Sequence, residues 1–555
     1  MAGVRRMSTM TIALFVVAAS LLVPGAAFAA NANPSMTTCS GTFCFQPATI
    51  NVPVGGTAAW HNTTTDLHTA TADAGTGTWT TGNVAAGTTS GDVTFPTAGI
   101  FPYHCDIHPY MHGTVLVGLT AQIALPSVVN QAYGGYTTVA YVQNIGGGHA
   151  NVHIRYFDQN GSAVADVNNP SLPSKASWTV RQDNGALPTG FAGSAIIYSD
   201  EAVAAFVNEF APGGGDASSY TGIVIGPETG DVLHAPAIAK NAYGGYTTGL
   251  GIVNVGDVTS DLTIRYRDQA GAVVATQTIT GVAPHAYRDA YSGAVGLLPD
   301  GFAGTATITD NAQGYGGYAA IVNEVGPNGQ FSSYDAILAG TNILHAPVML
   351  NGGFGGYFTG IGIRNTTAVN GTVTVTYYDS AGNVAKAVTL QIKGDGYLAI
   401  YQGDPADGPP ASDNGYSATL TTSVFIAAVV NEVAPPSAGA VKQSTSYNMS
   451  RGGNFVANVP LVENAGTDGW NTGAGIMNTS AIGASVTIYY YSDTGEFLTS
   501  KSVMLAGHAF LGEYTPNDLP AGTRATATVG SAPTSPIAVI VNEVNSGSFM
   551  SYDGQ

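Results

Sequence analysis

The sequence predicts an all-β protein built of antiparallel sandwiches. After residue 29 no stretch shows the 3.6-residue apolar spacing of a helix, and short runs instead alternate apolar with polar residues. The 73 glycines and 28 tyrosines suit many short strands joined by tight turns. Sixteen basic residues stand against 35 acidic ones, and charged residues are only 9% of the chain, so Gly, Thr, Ser, Asn and Tyr must cover most of the surface. That surface offers no basic field, which argues against nucleic acid or anionic lipid as a partner.

Residues 1–29 read as an export signal. Arg5 and Arg6 give a positive start, Thr11 to Val23 an apolar core, and Ala27-Phe28-Ala29 a small-residue cleavage pattern. The paired arginines raise the twin-arginine route, but Met7-Ser8-Thr9 matches it poorly beyond them, which favours ordinary secretion. Removing this segment takes away two basic residues and no acidic one, leaving 14 against 35 and a charge of −21. No later apolar run reaches the length of a membrane span, and no cysteine marks a lipid attachment at the cleavage site. The expected location is periplasmic, cell-surface or extracellular.

The first segment, residues 36–119, carries the chemistry. Tyr103-His104-Cys105-Asp106-Ile107-His108-Pro109-Tyr110-Met111 places a thiol, an imidazole and a thioether on one loop, with two residues between Cys105 and His108 and two between His108 and Met111. His68 lies upstream on a turn that can return beside this loop. Two histidines, a cysteine and a weak axial methionine suit copper, because thiolate and thioether are soft ligands. Zinc also accepts two histidines and a cysteine, but its structural sites rarely recruit methionine. Read singly, a buried cysteine could be inert core, or a nucleophile beside a histidine base. His61, His104 and His112 lie close by and are expected to flank the site without facing it. Of the three cysteines, Cys105 is needed as thiolate; the remaining pair, Cys39 and Cys44, could close a small loop in an oxidising compartment or stay as two free thiols, and the first is favoured.

These residues carry a family resemblance. From about Gln46 to Val117 the chain resembles cupredoxins of the plastocyanin, amicyanin and pseudoazurin group. The matching features are Val54-Gly55-Gly56-Thr57 before Trp60, His68-Thr69 after the turn, Phe95 and Gly99 before the loop, and Tyr103-His104-Cys105 through Gly113-Thr114-Val115 closing it. The short loop is similar to that of amicyanin and pseudoazurin. The resemblance implies a Greek-key sandwich holding one type 1 copper on His68, Cys105, His108 and Met111. It further implies cycling between Cu(I) and Cu(II) and outer-sphere electron transfer at the exposed edge of His108. Many members carry Asn after the first histidine, where this chain has Thr69, whose hydroxyl can make a similar hydrogen bond around the ligands; potential and rigidity depend on those contacts and are not set by the sequence. Between Met36 and Leu119 there is no Lys or Arg, and the only carboxylates are Asp66, Asp73, Asp92 and Asp106. A redox partner is therefore expected to dock by apolar contact around Pro109 and Tyr110, or to bring basic groups of its own.

Four copies of a longer unit follow. Pro126, Pro236, Pro347 and Pro460 recur at steps of 110, 111 and 113 residues, and Asn144, Asn254, Asn365 and Asn478 at the same steps. This divides the chain at 120–228, 229–340, 341–453 and 454–555. Strands alternate visibly, as in Leu262, Ile264 and Tyr266 against Thr263, Arg265 and Arg267, and a glycine closes the next turn at Gly161, Gly271, Gly382 and Gly495. Seven or eight strands in each copy suit immunoglobulin-like β-sandwich repeats. Units this long can each bury a core, so the expectation is beads in a row. Asn208-Glu209, Asn323-Glu324, Asn431-Glu432 and Asn542-Glu543 recur, followed by Ser219-Tyr220, Ser333-Tyr334, Ser446-Tyr447 and Ser551-Tyr552. These could form repeated calcium or glycan contacts. One carboxylate per unit is few for a hard cation, which favours a structural device, with Glu accepting backbone hydrogen bonds and Tyr capping the core.

Two readings of function result. In the first the chain is an exported electron carrier whose repeats form a spacer or surface-docking stalk. In the second it is a cell-surface adhesion or scaffold protein with an accessory copper domain. A multicopper enzyme is disfavoured, because none of the 11 histidines forms a His-x-His pair and Asp106 stands where such enzymes carry His beside the copper thiolate.

Overall fold

The computed structural model describes residues 31–555 except 40, 215, 295, 313–316, 328, 435–442, 467–468 and 546–547, so the expected export signal lies outside the described residues. The protein is almost wholly β. In the N-terminal domain, Thr49–Val52 runs parallel to His112–Val117, which pairs antiparallel with Gly99–His104. Alternation along these strands drives Tyr103, Val115 and Val117 into one core, which they share with Phe45, Trp60 and Phe95. The Trp60 indole donates to the Tyr103 hydroxyl at 3.0 Å, so the polar atom of each ring is satisfied inside it. Cys39 and Cys44 are joined across the hairpin of Ser35–Cys39 and Thr42–Gln46.

Each repeat is a two-layered sandwich of antiparallel sheets. In the second unit Val232–Lys240, Phe302–Asp310, Ser260–Arg267 and Val273–Val282 form one sheet in that order. Tyr287–Tyr291, Thr247–Asn254, Tyr318–Val325 and Phe331–Asp335 form the other. The fourth unit has the same order. In the third, the long strand Tyr416–Val433 runs through both layers and joins them. Leu262, Ile264 and Tyr266 face the core as the alternation requires.

The units are not beads in a row. They close into a ring in which each packs on the next and the fourth returns to the first. The last strands of the four units, Ala217–Thr221, Phe331–Asp335, Ser444–Asn448 and Phe549–Asp553, meet around a common axis. The cores run on through the joints. Val253, Ala319 and Ile321 of unit two belong to the core of unit one, Tyr397 and Val429 of unit three to that of unit two, Ile540 of unit four to that of unit three, and Val139, Tyr141 and Phe206 of unit one to that of unit four.

The recurrent Asn-Glu pairs lie at these joints. Asn323 donates to Glu209, Asn431 to Glu324, Asn542 to Glu432 and Asn208 to Glu543, at 3.4, 2.9, 3.5 and 3.2 Å, so each glutamate is bonded by the asparagine of the following unit around the circle. The recurrent tyrosines cap the cores: Tyr220, Tyr334, Tyr447 and Tyr552 donate to the carbonyls of Ser127, Ala237, Val348 and Leu461. A structural role is therefore right, but the glutamates act between units through asparagine side chains. The hairpin glycines have a second duty as well. Besides the positive φ of their turns, a Cβ on Gly161, Gly271, Gly382 or Gly495 would overlap a backbone carbonyl of the neighbouring unit, at Pro284, Gly394, Gly507 and Ser174 respectively.

At one end of the axis a single carboxylate serves all four units. Asp216 accepts from the backbone N–H groups of Ala217, Phe331, Ser444 and Phe549, at 2.9, 3.3, 2.9 and 3.4 Å. The N-terminal domain sits on units one and two. Leu116 and Leu119 are fully buried in the core of unit one, Thr120 N–H bonds Ser199 O, and Asp257 of unit two accepts from Thr49 N–H at 3.3 Å.

Candidate metal centre

The loop is held at both ends by the strands Gly99–His104 and His112–Val117, whose pairing sets His104 opposite His112. Two backbone hydrogen bonds tighten it, Cys105 N–H to Met111 O at 3.0 Å and Met111 N–H to His108 O at 2.8 Å. Cys105 and Met111 are thereby turned into the core, while His108 is half-buried and Ile107, Pro109 and Tyr110 face solvent. His68 is fully buried on the neighbouring segment, tied by reciprocal backbone hydrogen bonds with Val84.

Three of the four expected ligands present their donor atoms to one point. Cys105 Sγ lies 3.8 Å from His68 Nδ1 and 3.7 Å from His108 Nδ1, and the two nitrogens are 3.1 Å apart. The centre of that triangle is roughly 2.1 Å from all three atoms, close to the ~2.0–2.3 Å that imidazole nitrogen and thiolate sulfur keep from a divalent transition metal. Among the described residues they are the one group of three or more His, Cys, Asp or Glu side chains whose ligand atoms all lie within 4.8 Å of one another. Met111 is buried on the same loop, beside the cluster in sequence.

The surroundings favour the ligating form of His68. Burial, with the His108 ring beside it, pushes the imidazole of His68 below its usual value, and Asp66 opposes this. A neutral imidazole is the form that binds metal. Its far nitrogen, Nε2, is 2.9 Å from the Thr64 hydroxyl, which fixes the ring so that Nδ1 points inward. The backbone N–H of Thr69 donates to Cys105 Sγ at 3.3 Å.

Thr69 itself stands where the resemblance leads one to expect asparagine, and it works together with Asp106. Asp106 N–H donates to Thr69 Oγ1 at 2.8 Å, and the Asp106 carboxylate accepts from Thr71 at 2.6 Å and Thr69 at 3.2 Å. The Thr71 hydrogen bond, helped by Thr69 and His104, holds this carboxyl below its ordinary range. The segment after His68 is thus laced to the residue after Cys105. His104 bridges Asp73 and Asp106, at 2.6 and 3.3 Å. His61 pairs with Thr89, and the exposed His112 packs near His104, so all three flanking histidines lie outside the ligand cluster.

One neighbour escapes the sequence reading. Phe43, next to Cys44 on the disulfide-bridged hairpin, packs against both ligand rings, with centroids 4.8 Å from His68 and 4.7 Å from His108. Only the alternation Thr42-Phe43-Cys44-Phe45 hinted at it: Phe43 and Phe45 share one face of the strand, Phe45 inside the core and Phe43 packed against it nearer the histidines.

No family model matches the chain, and no curated protein matches it. Among solved structures, an oxidised variant of amicyanin matches at 24% identity over 16% of this chain and 90% of its own, with a TM-score of 0.14. A reduced amicyanin variant gives the same figures. The copper-containing nitrite reductase of Thermus scotoductus matches at 26% identity over 16% of this chain and 22% of its own, also with a TM-score of 0.14.

Proposed function

We propose that this protein is an exported type 1 copper protein that passes single electrons by outer-sphere transfer. The observation that supports this reading is the triangle of Cys105 Sγ, His68 Nδ1 and His108 Nδ1, sized for one transition-metal ion; the thioether of Met111, buried on the same loop, would be the fourth residue to hold it. Copper bound there supplies a Cu(I)/Cu(II) couple. The protein's part is to keep the donor atoms fixed as charge changes. The Thr69–Asp106 lacing, the Thr64 contact to His68 and the Phe43 packing all restrain the ligand side chains.

Electrons would enter and leave through the half-buried ring of His108, the one ligand near solvent. Around it Leu67, Ile107 and Tyr110 are exposed, at 47%, 45% and 58%. A partner would meet an apolar patch of a domain without a single cation. The disulfide between Cys39 and Cys44 supports an oxidising compartment. No helix among the described residues is long and apolar enough to cross a membrane. A closed ring does not suit an extended stalk, so the repeats are better read as a compact base on which the redox domain stands.

The test is to add Cu(II) to the purified protein and look for an intense blue thiolate-to-copper band that a mild reductant bleaches reversibly. Cys105→Ser removes the thiolate and should abolish the colour entirely. A Cys105→Ser protein that stays blue refutes the assignment.

A further inference from the structure

The two ends of the ring axis are chemically opposite. At one end Asp216 meets four N–H donors. At the other the axial strands finish in Thr221, Asp335, Asn448 and Asp553, whose side chains offer mainly oxygens. These four residues, with the Ser-Tyr pairs before them, line a cavity of about 10 Å³, room for a single water-sized sphere. Units two and four are diagonal in the ring, so the carboxyl groups of Asp335 and Asp553 belong to opposite sides of the axis, with the hydroxyl of Thr221 and the amide of Asn448 between them.

The hydrogen bonding leaves oxygens to spare. Asp553 N–H donates to Thr221 Oγ1 at 3.1 Å, and the Asn448 amide spends its Nδ2 on the Asp335 carbonyl at 2.8 Å. That turns Asn448 Oδ1 loose, and both it and Asp335 Oδ1 are buried atoms with no hydrogen-bond partner. Glu228 adds a third carboxylate close enough to act on both aspartates. Burial raises both aspartates, Asp553 to about 7, and Asp335 is pushed further by the charges of Asp553 and Glu228. Arg451 acts on Glu228, and no cation is among the groups that shift Asp335 or Asp553. The backbone N–H of Thr221 bonds the Asp335 carboxyl and that of Asn448 the Asp553 carboxyl, but a buried carboxylate with an oxygen left unpaired still costs several kcal/mol unless something positive joins it.

We propose that this end of the axis binds one calcium ion, held by the carboxylates of Asp335 and Asp553, Oδ1 of Asn448 and Oγ1 of Thr221. All the ligands are hard oxygens, and two carboxylates able to bind through both atoms supply the six or more that calcium takes. Every unit contributes one ligand, so the ion ties the four units together where no shared acceptor such as Asp216 exists. The site is independent of the copper proposal, since none of its ligands lies in the N-terminal domain.

The experiment uses the full chain, dialysed against a calcium-selective chelator, and measures melting temperature and calcium stoichiometry by titration calorimetry. About 1 mM calcium, the range of extracellular modules, should raise the melting temperature by several degrees and bind at one ion per chain. The double variant Asp335→Asn, Asp553→Asn keeps the side-chain shape and should lose both responses. The single variant Asn448→Ala, which removes one neutral ligand, should weaken binding at least tenfold if the double variant does not fold. Cys105→Ser should retain both responses. Absence of calcium binding to the wild-type chain, or binding undiminished in these axial variants, overturns the proposal.

Discussion

Replacing Asp216 with Ala removes the one acceptor shared by all four units. Two of its hydrogen bonds are 2.9 Å long and two are 3.3 and 3.4 Å, so the two short ones should dominate. Hydrogen bonds to a charged acceptor contribute about 1.5–3 kcal/mol each, which gives roughly 3–6 kcal/mol gross. Part of that is offset because a carboxylate no longer has to be buried, a burden visible in the rise of this group to about 7, so about 3–4 kcal/mol should be lost. The assay is native-state hydrogen exchange read by mass spectrometry on peptides covering Phe331–Asp335, Ser444–Asn448 and Phe549–Asp553. A loss of 3 kcal/mol corresponds to a more than hundredfold fall in protection. The informative feature is where it falls. If Asp216 holds the axis, strands up to 333 residues away in sequence open together. Loss of protection confined to residues around 217 would refute the shared-acceptor argument and leave Asp216 as a local turn residue.

Three further outcomes follow from the same geometry. Burial lifts the carboxyls of Glu209, Asp216, Asp257, Glu432 and Asp553 to between about 6 and about 8, above the value of an unfolded carboxyl, so the folded ring binds more protons than the unfolded chain from about pH 4 upward. Stability should therefore fall as pH rises from 5 to 8 in calcium-free buffer, and a melting temperature that rises over this window would contradict the burial of these groups. Met111→Leu should leave the protein blue, change stability by less than about 1.5 kcal/mol as a volume-conserving exchange, and raise the reduction potential, measured by redox titration. A chain cut after Leu119 exposes Leu116 and Leu119, worth about 1.5–3 kcal/mol each, so it should unfold at clearly lower denaturant than the same domain in the full chain while its copper spectrum stays the same.

The convergence of His68, Cys105 and His108 was legible because its chemistry is local. Cys105, His108 and Met111 sit on one loop at fixed spacing, and the fourth residue, His68, could be found by the same resemblance. What surrounds them was less legible. Phe43 and Thr64 reach the histidine rings from segments whose sequence explains them equally well as ordinary strand and turn residues. The sandwich units were legible through period and alternation, since each strand reports its own buried face. Ring closure was not, for a physical reason. Whether four units form a line or a circle depends on the angle at each joint, and no local pattern encodes an angle. The residues that set it had adequate local explanations: Gly161 and its equivalents are needed by their turns whether or not a neighbouring carbonyl presses on them. Asp216 was hidden in another way, since the equivalent positions are Gln330, Gln443 and Ser548, and a search for repeats passes over the residue that breaks the repeat.

That asymmetry shows how a nearly symmetric ring can be sealed. Four identical carboxylates at one point of an axis would all be acceptors, and each would meet its own kind. A single carboxylate among four N–H groups avoids this, because backbone supplies the repeated partner and one unit supplies the unique one. The other end solves the same problem by alternation: Asp335 and Asp553 belong to units two and four, while Thr221 and Asn448 belong to units one and three. Duplication of one unit gives the circle its shape, and divergence at the axis makes the shape affordable in free energy. The N-terminal domain is placed outside this arrangement. Its ligand loop lies beyond the six-residue strand His112–Val117, about 20 Å from Leu119 and the core it shares with unit one. The joint can therefore be repacked without moving the donor atoms, which is why substitutions at the axis should change stability and leave the copper spectrum alone.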